Sequence, residues 1–138
     1  MPHITVAPLA GLLALVAVPL ALPISAPAQA RSVDEQMMMM VPSERIEQRC
    51  NARAMGEVGR ANKALHPDEL VAYAYADPVI KGWSIKAPGG AVRSGATWYH
   101  IAYECETAHE GLDVTRFRFT LGAAIPTSEW TGHYLVAP

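Results

Sequence analysis

The spacing of apolar residues changes twice along the chain. From Ile4 to Ile24 there is no charged residue, and LAGLLALVAVPLAL is a continuous apolar block. After Pro42 the spacing becomes helical: Ile46, Cys50, Ala54, Val58 and Ala61 fall on one stripe of ERIEQRCNARAMGEVGRAN. Ser43 is placed to cap this helix, and Glu44 and Glu47 stand in its first turn, where the dipole favours acids. Arg45, Arg49 and Arg53 fall largely off the stripe, and Gly56 and Gly59 weaken the far end, so a stop near Arg60 is expected. HPDEL predicts a second helix, with Pro67 at its first position and Asp68 and Glu69 in its first turn. It would run through VAYAYA to Asp77-Pro78, although that alternation also suits a strand.

From Ile80 onward the period is two. GWSIKA predicts a strand with Trp83, Ile85 and Ala87 on one side, and APGG a type II turn. AVRSGATW predicts a hairpin around Ser94-Gly95. In TWYHIAYECET, Tyr99, Ile101, Tyr103 and Cys105 point one way, and Trp98, His100, Ala102, Glu104 and Glu106 the other. DVTRFRFTLG sorts likewise, with Thr115, Phe117, Phe119 and Leu121 against Val114, Arg116, Arg118 and Thr120. AHEGL joins the two as an antiparallel hairpin, setting Glu104 and Glu106 across from Arg116 and Arg118, where opposite charges stabilise by roughly 0.2 to 1 kcal/mol per pair. The tail IPTSEWTGHYLVAP adds Trp130 and Tyr134, expected as a turn of helix closing one end of the core.

Composition turns this pattern into a destination. The apolar block is followed by APAQA, where Ala28 and Ala30 flank Gln29 as signal peptidase requires, so residues 1–30 read as a signal peptide. The n-region MPHIT carries no Lys or Arg, and a retained anchor is the alternative, against which Pro8, Pro19 and Pro23 count. Residues 31–42 are a Met-rich lead-in, and 43–138 a single domain. All charged residues follow Ala30 and sum to −2, with no basic block, which argues against nucleic acid or a strongly anionic membrane as partner. Once the signal is cleaved, no membrane association is expected. Two cysteines in an exported chain read as one disulfide, Cys50–Cys105. Closing so long a loop stabilises the fold by about 4 kcal/mol in the chain-entropy model.

Candidate chemistry is thin. The run Met37–Met40 covers all faces of a helix, which suits a linker laying one or two side chains on the core better than a thioether metal or oxidant sensor. His100 and Glu104 stand about 13 Å apart along a strand, too far to share a metal. No metal site, cofactor or catalytic residue is therefore assigned. Glu104 and Glu106 face arginines, which keeps carboxyl pKa values low where a general acid needs the reverse. No G-x-S-x-G elbow is present, and APGGAVRSG lacks the Lys of a phosphate cradle. What remains is a partner-binding surface of Trp98, His100, Glu104, Glu106, Arg116 and Arg118, unless a helix or the tail covers that face.

RIEQRCNARAM after MMVPSE, then APGGAVRSGATWYHIAYECE and VTRFRFTLGAAIPTSEW, resemble in this order the exported bacterial family catalogued as domain of unknown function 930. The resemblance spans roughly residues 39 to 135. It implies an envelope protein with a cysteine pair at Cys50 and Cys105, and it implies no activity. The expected fold is α+β: two helices packed on a small antiparallel sheet of three to four strands, stapled by one disulfide. The expected function is a non-catalytic binding or structural module of the periplasm or secreted fraction, engaging an envelope protein or glycan. Its rivals are a small periplasmic hydrolase, with His66, His109 or His133 near a Ser and a carboxylate, and an inhibitor inserting the Pro88-Gly89-Gly90 turn into a partner enzyme.

Overall fold

The computed structural model describes residues 31–138. The predicted signal segment lies outside the described residues. Two helices lead in, α1 (Val33–Met38) and α2 (Pro42–Ala61), and strands β1 (Pro67–Ala76), β2 (Val79–Lys81), β3 (Ser84–Ser94), β4 (Thr97–Ala108) and β5 (Asp113–Ala124) follow. A single helical turn, α3 (Thr127–Trp130), begins the tail. All strand pairs are antiparallel, in the order β1-β3-β4-β5, with β2 also on β3.

The stripe on α2 sets the inner layer. Ile46, Cys50, Ala54 and Val58 are buried against Ile85, Ala87, Ile101, Tyr103 and Cys105, while Ala61 stays exposed at the helix end. Cys50 and Cys105 form a disulfide with Cα atoms 6.0 Å apart, which bolts the middle of α2 to β4. Phe117 stacks on Tyr103 from the next strand, so the inner side of β5 continues the same layer. Tyr103 also donates its hydroxyl hydrogen bond to Asn51 Oδ1 at 2.7 Å, which satisfies both groups inside the layer. Burial pushes the Tyr103 hydroxyl pKa up, with the nearby Glu47 carboxylate adding to it.

The segment expected as a second helix is strand β1, so the sheet has five strands rather than three or four. Asp68 and Glu69, which suit a first helical turn, instead hold Arg93 on the neighbouring strand at 2.9 and 2.8 Å. Long-range pairing outweighs local propensity here. APGG is not a turn either; it lies inside β3 as a bulge, with the register slipping between Ala87 and Gly90. At Gly89 a Cβ would stand 2.5 Å from the Ala76 backbone nitrogen, so only glycine lets β1 come this close. The loop that the inhibitor reading rests on is therefore an element of the sheet. The hairpin at Ser94-Gly95 forms as expected, with Gly95 at φ 59° first in its two-residue turn.

Two smaller corrections concern α2 and β5. Val41, not Ser43, is the cap residue, and Pro42 takes the first helical position. A second register slip, opposite Glu106 and Thr107, turns Val114 inward and leaves Thr115 exposed, the reverse of the simple alternation.

Candidate functional site

The outer face of the sheet carries the predicted surface, and it has two ends. At one end a ladder crosses three strands. Lys86, Glu104 and Arg118 are direct neighbours on β3, β4 and β5, and Glu106 faces Arg116 one step along. The Glu104 carboxylate accepts from Arg118 and pairs with Lys86 at 3.3 Å, and Glu106 pairs with Arg116 at 3.3 Å. Arg118, with Lys86 beside it, holds the Glu104 carboxyl below its ordinary pKa range. It is an anion at neutral pH and an unsuitable proton donor. Around the ladder lies an open depression of about 590 Å³, lined by Lys81, Lys86, Arg116 and Arg118 against Glu104 and Glu106, with apolar Val79 and Ile85. Four cations face two anions there, although the whole chain carries −2.

The depression continues along β4. A second hollow shares Lys86, Glu104 and Arg118 with the first, and a third shares Pro88, Ala102 and Thr120 with the second. The resulting trough runs from Glu106 to His100, about 20 Å along a strand. Small side chains, Ala102 and Thr120, form its middle.

The other end is closed. Trp98 shares the outer parity of Glu104 but is 0 % exposed, so its expected place on a partner-binding surface is corrected. The tail after β5 folds over it: Ile125 and Leu135 pack with Trp98, Val71 and Ala91, and the Trp98 indole donates to the Val136 carbonyl at 2.9 Å. Arg93 lies over the same ring, its guanidinium carbon 5.5 Å from the ring centroid. Trp130 takes part in this second core as expected of the tail, whereas Tyr134 remains exposed. His100 is half-buried at the boundary, 4.6 Å from the Tyr75 ring, while His133 stacks on that ring at 3.8 Å. Tyr75 donates its hydroxyl to Glu129 at 2.8 Å, and burial together with this bond raises its pKa to about 12.

Among the described residues, none of His66, His109 and His133 is hydrogen-bonded to both a serine and a carboxylate. His133 Nδ1 sits 2.8 Å from the Ala74 carbonyl, His109 pairs with Asp113 on an exposed turn, and the backbone amide of His66 donates to Ser94. Among the described residues no three His, Cys, Asp or Glu side chains are placed to hold a metal ion. The methionine run ends α1 and turns into α2 with Met38, Met39 and Met40 exposed, so its side chains lie mostly off the core. Sequence reasoning missed its fastener. Arg45, expected off the buried stripe, is buried and donates to the carbonyls of Met37, Met40 and Glu110.

The family model described as Domain of Unknown Function (DUF930) matches residues 37–135. No curated protein and no solved structure matches the chain. The matched span covers both cysteines, the ladder and the tail residues Ile125 and Leu135 that pack on Trp98, and by this match the chain belongs to the DUF930 family.

Proposed function

We propose that this DUF930 protein is exported and acts in the periplasm or secreted fraction as a non-catalytic binding or structural module, engaging an envelope protein or glycan through the open end of its outer sheet face. The observation that carries the reading is the trough: a solvent-open surface about 20 Å long with mixed charge at one end and a half-buried histidine at the other. Its two carboxylates, Glu104 and Glu106, are paired with cations rather than stranded, which suits a docking surface and not a proton-transfer site. Export is supported by the disulfide, which persists in oxidising compartments, and by the apolar N-terminal block followed by an A-x-A site. No helix among the described residues is long and apolar enough to cross a membrane.

Capture from envelope extracts tests the reading. The immobilised wild-type protein should retain a specific component, and the double variant Glu104→Ala/Arg118→Ala should lose most of it while keeping its fold. Equal recovery by both proteins, or recovery of nothing specific, would count against a binding role for this surface.

A further inference from the structure

The cross-strand rows of the sheet form a sequence that stops one strand early. On the outer face, Lys86, Glu104 and Arg118 alternate plus, minus, plus from β3 to β5. One step along, Ser84, Glu106 and Arg116 end the same way, on a cation at β5. On the inner face the rows are apolar: Ile85, Cys105 and Phe117, then Ala87, Tyr103 and Phe119. Phe117, Phe119 and Leu121 are only half-buried at the end of these rows. β5 pairs with β4 alone, and among the described residues no strand lies on its other side. From Arg116 to Leu121 that edge contains no proline, and its pairing with β4 shows no slip. An edge of this kind presents unpaired N–H and C=O groups that template a further strand.

We propose that the edge of β5 accepts an extended polypeptide segment in which acidic and apolar residues alternate, as a sixth strand of the sheet. The proposal rests on the binding reading above and names its partner chemistry. Acids on the outer side of the segment continue each row by facing Arg116 and Arg118, and apolar residues on the inner side complete the cover over Phe117 and Phe119. A second copy of this chain is the poorer occupant: antiparallel pairing centred on Phe117 opposes Arg116 to Arg118, pairing centred on Arg118 opposes that residue to itself, and pairing centred on Phe119 avoids both but sets Arg118 against Thr120 and Arg116 against Gly122, so that no acid answers either cation. Like charges directly opposite are destabilising.

The test uses capped, labelled heptapeptides against the whole protein: one alternating Glu and Val, one alternating Lys and Val, and two Glu-Val forms N-methylated on one or the other alternate set of amides. The Glu-Val peptide should bind at least tenfold more tightly than Lys-Val, and raised salt should narrow the gap. One N-methylated form should lose binding by more than tenfold while the other keeps it, because a strand pairs through one edge only. Arg116→Gln/Arg118→Gln should abolish the preference for Glu, and peptide should slow exchange at the β5 amides that face away from β4. Equal binding of Glu-Val and Lys-Val, equal tolerance of both methylation patterns, or no binding would overturn strand addition. If no peptide binds but wild-type protein still captures an envelope component, the strand proposal falls and the binding reading stands. A dimer joined through β5 in sedimentation would overturn it in favour of self-pairing.

Discussion

Trp98 and Glu104 lie on one strand, six residues apart and on one face, yet one is sealed and the other is open. The difference is made by residues far away in sequence. Ile125 to Val136 lay a small second core over Trp98, whereas nothing described covers the Lys86–Glu104–Arg118 row. Alternation fixes the face of a sheet to which a side chain belongs. Whether that face is core or surface is decided by what the chain later folds across it.

Breaking the closed end should have the largest effect. Trp98→Ala removes a fully buried ring and its bond to Val136, at a cost of about 3 to 5 kcal/mol by denaturant unfolding. Cys50→Ala/Cys105→Ala loosens the inner layer beneath both ends and should cost about 2 to 5 kcal/mol, read as a lower thermal midpoint. Tyr75→Phe probes the boundary, where loss of the bond to Glu129 should cost about 1 kcal/mol. The raised Tyr75 pKa also has a signed consequence. The folded state holds this proton more tightly than the unfolded state, so the contribution is complete below pH 10 and is lost as pH rises towards 12. Tyr75→Phe should flatten that part of the stability profile. At the open end Glu104→Gln should leave the unfolding midpoint close to wild type, since the ladder is solvated and salt-screened. Its depressed carboxyl pKa makes the small wild-type advantage vanish as pH falls into the acid range.

The legible features are those that depend on local period or direct pairing. The α2 stripe, the inward Cys50 and Cys105, the parity of β4, and the pairing of Glu104 and Glu106 with Arg118 and Arg116 all follow from spacing. Where residues serve two local purposes, spacing misleads. Asp68 and Glu69 suit a helix start as well as an Arg93 partner across the sheet, and only the neighbouring strand decides between them. Pro88-Gly89-Gly90 has turn chemistry, but the approach of Ala76 makes it a bulge. Arg45 is buried because three carbonyls from α1, the turn after it and the β4–β5 link converge on its guanidinium, an arrangement no periodicity encodes. The site was half legible for the same reason. Its charges pair locally, while the closure over Trp98 comes from the far end of the chain.

Exchange of the indole N–H protons tests the division of the outer face most directly. With ¹⁵N-labelled protein, the Trp98 indole, which donates to Val136, should exchange far more slowly than that of Trp83, which is 43 % exposed. Equal, fast exchange at Trp98 and Trp83 would mean that the tail does not seal this end, and would contradict the account.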